Sequence, residues 1–202
     1  LQLQPGQPPA PAAQWLPQAL RHRLSPQVDL LAATLALEAI ARDGQPRAVN
    51  VAPASVAMGG FAGNLQDLLR RHARAARGLW VEVAESAAID HFDALHDFAR
   101  TLRLLGVRVG IEHAGARLHR IDRLHELGLD YVKLDAALCT GIGASRAVQG
   151  ALRGSVALLH ALAIEVHAEG IGEPADVDAL WACGVDAVTG PWASTRYAGG
   201  TA

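Results

Sequence analysis

Short runs of β-branched and aliphatic residues alternate with longer amphipathic stretches along most of the chain. The apolar runs predict six strands, at Arg47–Ala52, Leu79–Ala84, Val107–Glu112, Tyr131–Asp135, Ile164–Glu169 and Val185–Thr189. Helical periodicity fills the intervals, at about Pro26–Arg42, Phe61–Arg74, Ser86–Leu105, Arg117–Leu127, Ala144–Leu162 and Pro174–Cys183. Gly78, Gly106, Gly128 and Gly184 each stand between a helix and the next strand, where a left-handed residue ends a helix. Ser86 and Glu173-Pro174 are expected helix starts.

Six strand–helix alternations at this spacing imply an α/β fold with parallel strands and right-handed crossovers. An open doubly wound sheet and a closed barrel both satisfy that. No G-x-G-x-x-G follows the first strand, which disfavours a dinucleotide-binding sheet. In a barrel the active groups gather at the C-terminal ends of the strands. Polar residues do fall late in the apolar runs: Asn50, Glu82, Glu112 with His113, Lys133 with Asp135, His167 with Glu169, and Thr189-Gly190. A single polar residue at a strand end is ordinarily a solvated or helix-capping group. Five consecutive strands that each deliver one to a common mouth make a site. Asn and three Glu offer oxygen ligands to a hard cation such as Mg2+, and Lys133 offers a point charge to phosphate. Together they suit metal-assisted phosphodiester chemistry.

Composition narrows the classes. Half of the 202 residues are hydrophobic and 19% are charged, a balance that fits a folded domain with a full core rather than a disordered chain. The net charge of −2 gives no basic surplus for binding a nucleic-acid polymer. No apolar run reaches the roughly 18–20 residues of a membrane helix, and the polar, proline-rich start has no basic region of a signal peptide. The domain itself is expected not to insert into a membrane. The opening Leu1-Gln-Leu-Gln, without an initiator methionine, reads like a cut from a larger protein, so residues 1–202 are expected to be one domain of a multidomain chain. Cys139 and Cys183 have no zinc or C-x-x-C spacing and are expected to be buried apolar fillers. Trp80 and Trp181 are expected in the core, and Arg70, Arg71, Arg74 and Arg77 on a solvated face.

The motifs then resemble one family. Ala48-Val-Asn-Val-Ala is similar to the S-V-N-L-S strand of EAL phosphodiesterase domains, and Trp80-Val-Glu-Val-Ala-Glu-Ser to their L-E-I-T-E-S. Val107-Arg-Val-Gly-Ile-Glu-His-Ala-Gly stands where the family has V-x-I-A-L-D-D-F-G, and Leu129-Asp-Tyr-Val-Lys-Leu-Asp resembles V-D-x-L-K-I-D. Val166-His-Ala-Glu-Gly-Ile-Gly resembles V-V-A-E-G-V-E, Gly184-Val-Asp-Ala-Val-Thr-Gly-Pro the closing G-C-D-x-x-Q-G-Y, and Ala13-Gln-Trp-Leu-Pro the family's A-E-F-I-P. Order and spacing agree from about residue 11 to 195. The resemblance implies a TIM-like (β/α)8 barrel of the EAL type. Its antiparallel first strand would precede Leu1, leaving the barrel incomplete with an open seam.

Departures from the pattern bear on function. The E-A-L glutamate has no counterpart, the paired aspartates become Glu112 and His113, the loop glutamate of A-E-G-V-E becomes Gly172, and the phenylalanine becomes Ala114. Asn50, Glu82, Lys133 and Glu169 survive. A two-metal mechanism needs both ions held closely, so the resemblance implies a degenerate, non-enzymatic EAL domain that binds cyclic di-GMP and requires no Mg2+ or other cofactor. Ile111-Glu-His-x-Gly, the segment Leu118–Gly128 and Thr189-Gly-Pro resemble the C-terminal domain of LapD-type receptors. That likeness implies GGDEF-like and HAMP partner domains, a ligand-dependent homodimer, and a cytoplasmic location in an inner-membrane receptor controlling biofilm adhesion. The implied ligand-binding residues are Asn50, Glu82, Glu112, Lys133 and Glu169, with the backbone of Thr189, Gly190, Pro191 and Trp192 on a guanine edge. Trp192 stacking on a guanine and Trp192 packing on the rim stay open, as do rim and metal-ligand roles for His113. The family's ligand-holding arginine would fall within Leu1–Pro5, where the polar side chains are glutamines. A residual phosphodiesterase and a nucleotide-blind scaffold are the alternatives.

Overall fold

The computed structural model describes residues 10, 12–115 and 123–197. The strands are β1 (Arg47–Val51), β2 (Leu79–Ala84), β3 (Arg108–Ala114), β4 (Tyr131–Leu134), β5 (Glu165–Ala168) and β6 (Ala187–Val188). The helices are α1 (Ala12–Arg21), α2 (Ser25–Asp43), α3 (Pro53–Val56), α4 (Phe61–Arg71), α5 (Ala73–Ala76), α6 (Glu85–Asp90), α7 (Phe92–Arg103), α8 (Ala136–Cys139), α9 (Arg146–Ala161), α10 (Pro174–Ala182) and α11 (Pro191–Tyr197).

All six strands run parallel in one sheet, in the order β1-β2-β3-β4-β5-β6. Each strand lies beside its sequence neighbour, and the order never reverses. A doubly wound sheet has such a reversal; a barrel wall does not. These strands are therefore consecutive staves of a barrel, and among the described residues β1 and β6 are unjoined edges.

Strand alternation sorts the side chains by face. One parity is aliphatic: Val49, Val51, Val81, Val83, Val109, Ile111, Val132, Leu134 and Val166 are all buried in the core shared with the helices. Leu37, Leu65, Phe98, Leu159 and Leu180 meet them from α2, α4, α7, α9 and α10. The other parity carries Asn50, Glu82, Glu112, Lys133 and His167 on the inner face. The sheet thus separates an oily outer layer from a chemically mixed interior, and the strand exits inherit the mixed parity.

Several boundaries differ from the sequence pattern. The long helix expected over 61–74 breaks at His72 (φ −115°, ψ 35°), and that over 86–105 breaks at His91 (φ −139°, ψ 41°). Neither break carries a Gly or Pro that the sequence could announce. α6 begins at Glu85 after an extended Ala84, so Ser86 is not its cap. Gly106, Gly128 and Gly184 are left-handed as expected, but Gly78 is not. Gly78 is needed for closeness, since a Cβ there would lie 3.0 Å from Ile40 Cγ2. Trp181 is 42% exposed rather than core, while Cys139 and Cys183 are buried as expected. Leu124–Leu127 is a 3-10 turn. The rest of the helix expected from Arg117, and the Leu1–Pro5 segment, lie outside the described residues.

Candidate functional site at the strand exits

Glu82 is the centre of the mouth. It stands late in β2 on the inner parity, is 4% exposed, and has both carboxylate oxygens engaged. Oε1 accepts from the Tyr131 hydroxyl at 3.0 Å, and Oε2 accepts from Lys133 Nζ at 2.9 Å. Tyr131 reaches Glu82 because β3 carries Gly110 beside it: a Cβ at 110 would fall 2.4 Å from Tyr131 Cε2. Lys133 Nζ also lies 3.5 Å from Glu169 Oε2. From β1, the Asn50 amide donates to Glu112 Oε2 at 2.9 Å.

A β-bulge arranges the remaining side. Ile111 and Ala114 on β3 oppose Val132 and Leu134 on β4, so β3 carries one extra residue. His113 takes a left-handed φ of 51° there. Strict alternation would send Glu112 and His113 to opposite faces; the bulge lets both reach the mouth. His113 Nδ1 comes 2.6 Å from Glu169 Oε1 and 3.4 Å from Asp135 Oδ2, and Nε2 lies 3.9 Å from Glu112 Oε2. Just beyond, the Gly115 amide donates to Glu85 Oε1 at 3.0 Å, tying the bulge to the start of α6.

Among the described residues, the electrostatics follow from three glutamates around one ammonium. Burial raises the Glu112 carboxyl above the ordinary glutamate range, and the charges of Glu82 and Glu169 add to this against His113 and Lys133. Burial alone would lower Lys133, but its hydrogen bond to Glu82 and the charges of Glu82, Glu169 and Glu112 outweigh that and raise it. The ammonium therefore stays charged. Burial and the neighbouring Glu82 push the Tyr131 hydroxyl up, keeping it a neutral donor.

The structure thus brings Asn50, Glu82, Glu112, Lys133 and Glu169 together. Thr189–Trp192 is placed differently in character. Thr189 N donates to Ala168 O at 2.8 Å, Thr189 O accepts from Ile171 N at 2.9 Å, and Trp192 N donates to Ile171 O at 3.0 Å. These backbone groups, expected on a guanine edge, stitch the start of α11 to the loop after β5. Trp192 itself packs against the core while remaining half-buried.

Two participants escaped the sequence reading. Tyr131 shares the inward parity of Lys133 two residues on, and Gly110 that of Glu112; parity was the available signal. A second polar layer lies at the opposite end of the strands. Arg108 pairs with Glu165 at 2.8 Å and stacks 4.3 Å over the Trp80 ring. His167, its basicity lowered by burial, hydrogen-bonds Glu165 at 3.1 Å and stacks 4.8 Å from Tyr131.

A sequentially ordered parallel barrel wall, with carboxylates, an amide and a lysine converging at the strand exits, defines the class as a TIM-like barrel with a polar mouth. The EAL domain family profile matches residues 3–195, and the chain belongs to that family. The EAL domain of Xanthomonas citri FimX, solved in complex with c-di-GMP, matches with a TM-score of 0.85 at 19% identity, over 94% of this chain and 76% of that one. The apo S helix-GGDEF-EAL fragment of Vibrio cholerae LapD matches with a TM-score of 0.83 at 20% identity, over 90% of this chain and 45% of that one. An uncharacterized protein of Mycobacterium tuberculosis is 24% identical over 123 residues, covering 61% of this chain. The chain spans 20% of that relative's length. The solved structures, at these identities, establish the fold: an EAL-type TIM-like barrel.

Proposed function

We propose that this domain binds cyclic di-GMP as a signal without hydrolysing it, and that occupancy releases autoinhibition and promotes dimerisation of a LapD-type membrane receptor controlling biofilm adhesion. One observation carries the reading. Lys133, Asn50 and three glutamates are kept at a common mouth, yet three of the carboxylate oxygens there are engaged by protein donors. Tyr131 and Lys133 take both oxygens of Glu82, and Asn50 takes one of Glu112. Lys133 then supplies the positive point for a phosphate, Asn50 and Glu112 its polar surroundings, and the rim at Thr189, Gly190, Pro191 and Trp192 a face for a guanine. The FimX structure above contains c-di-GMP, and V. cholerae LapD has been solved both apo and bound to c-di-GMP. Other domains of the same protein, GGDEF-like and HAMP, are the partners this reading requires.

The test is a calorimetric titration of the domain with cyclic di-GMP, with Mg2+ and with EDTA, followed by chromatography of the recovered nucleotide. Micromolar or tighter binding in EDTA, with intact ligand recovered after incubation with Mg2+, is expected. Linear product appearing only with metal would replace this reading with a phosphodiesterase. Absence of both heat and product would leave a scaffold.

A further inference from the structure

At the strand-entry end of the barrel wall, away from the mouth, a cleft of about 660 Å3 lies between the C-terminus of α2 and α5. Arg42, Arg74 and Arg77 line it together with the buried Ile40 and Ala75, and Gly44 and Gly78 complete its walls. Gly44 and Gly78 stand shortly before β1 and β2, whereas Asn50 and Glu82 come late in those strands. From Gly78 to Glu82 the extended chain rises about 13 Å.

Packing shapes this cleft. A Cβ on Gly78 would lie 3.0 Å from Ile40 Cγ2, so the glycine lets the end of α5 close against α2. A Cβ on the left-handed Gly106 would lie 3.2 Å from Arg77 Cγ, so the stem of Arg77 rests on the glycine that follows α7. The charges are unanswered within the chain. Asp43, the acidic neighbour of Arg42, is taken by Arg47 at 2.9 and 2.5 Å. Among the described residues no carboxylate forms an ion pair with Arg42, Arg74 or Arg77. Helix C-termini favour a basic residue in the last turn, and Arg42 and Arg74 are so placed. That preference does not bring both to one cavity, and it leaves Arg77 over. Three guanidiniums around one cavity repel one another, and an anion between them relieves that repulsion.

We infer that this cleft binds a diphosphate group between Arg42 on the α2 wall and Arg74 and Arg77 on the other. Guanidinium forks take phosphate oxygens in pairs. The arginines stand on two walls, so the ligand must reach across, and the cavity has the size of a small-molecule site rather than of a single ion. Among the described residues no aromatic side chain lines the cleft, which leaves a nucleobase without a stacking face. Recognition therefore falls on the phosphates, whether the diphosphate is free or carried by a nucleoside. The site stands apart from the cyclic di-GMP reading, which concerns single phosphodiesters at the opposite end of the strands.

The experiment is a calorimetric titration of the purified domain with inorganic pyrophosphate in EDTA, at low and at moderate ionic strength. One equivalent is expected to bind, at least tenfold more tightly than orthophosphate, and to weaken as salt rises. Arg77→Gln is expected to lower the affinity by tenfold or more, and Arg77→Lys, which keeps the charge but not the fork, by less. Arg70→Gln, outside the cleft and paired with Asp67, leaves binding unchanged, and far-ultraviolet circular dichroism checks that each variant is folded. Adenosine diphosphate separates the sources: an affinity matching pyrophosphate assigns the cleft to a nucleotide's diphosphate, and a much weaker one to the free inorganic ion. No saturable heat with pyrophosphate, equal affinity for orthophosphate, a titration that survives Arg77→Gln, or an equal loss in Arg70→Gln overturns the inference. None of these outcomes bears on whether cyclic di-GMP binds at the mouth.

Discussion

Lys133→Met removes the one lysine or arginine among the described residues that the structure places at the centre of the mouth. The ammonium lies 2.9 Å from Glu82 Oε2 and 3.5 Å from Glu169 Oε2. At an effective dielectric of about 20 these distances correspond to about 6 and about 5 kcal/mol of gross attraction. Returning the ammonium to water recovers several kcal/mol of that, and the side chain is already 16% exposed. What remains is dominated by Glu82, a carboxylate left buried with the Tyr131 hydroxyl alone. The expected loss is about 3 kcal/mol, at the lower end for breaking a buried pair by removing one partner. With a urea dependence of about 2 kcal/mol per molar, the unfolding midpoint falls by about 1.5 M. Lys133→Met combined with Glu82→Gln removes the stranded charge and is expected to recover about half of that shift. A single variant within about 0.3 M of the parent protein, or a double variant no more stable than the single one, would refute the account.

Further outcomes follow from other contacts. The Glu112 carboxyl is raised in the folded state, so its contribution to stability is present below the unfolded pKa and lost as pH rises through the folded one. Glu112→Gln is therefore expected to stabilise the domain at pH 7.5, with the gain vanishing below about pH 4; urea midpoints at the two pH values decide it, and a pH-independent gain contradicts the cause assigned. Gly110→Ala drives a methyl into the Tyr131 ring and is expected to cost about 1–3 kcal/mol, seen as a lower thermal midpoint; an unchanged midpoint would show that the ring moves freely. Asp176 is buried and accepts from Gly141 N and Gly143 N, each at 2.9 Å. Asp176→Ala is expected to cost about 3 kcal/mol, while Asp176→Asn, which keeps one acceptor, costs less; denaturant unfolding separates them.

The strands were legible because their outward parity is almost wholly aliphatic, and the site was legible because the inward parity ends in Asn50, Glu82, Glu112, Lys133 and Glu169. Strand–helix alternation announced parallel strands, while their sequential order rested on the motifs that favoured a barrel over an open doubly wound sheet. What stayed hidden depends on geometry that no spacing encodes. The extra residue at His113 is a one-residue slip, and the string Ile-Glu-His-Ala reads equally well without it. The breaks at His72 and His91 lack any helix-breaking residue. Trp181 is exposed because its position on α10 faces away from the sheet, although its type suggested the interior. The commitment of the Thr189 and Trp192 amides to the loop after β5 became apparent only when that loop was seen beside them.

The aromatic layer has one more consequence. Trp80, Tyr131 and His167 lie across the interior between the carboxylates at one end and the Arg108–Glu165 pair at the other, with ring centroids 4.8 to 6.1 Å apart. Tyr131 is fully buried and His167 nearly so. The layer is a stopper, and the barrel is a cup rather than a pipe. Along the barrel axis, a solute at the floor has no route through these rings to the carboxylates above.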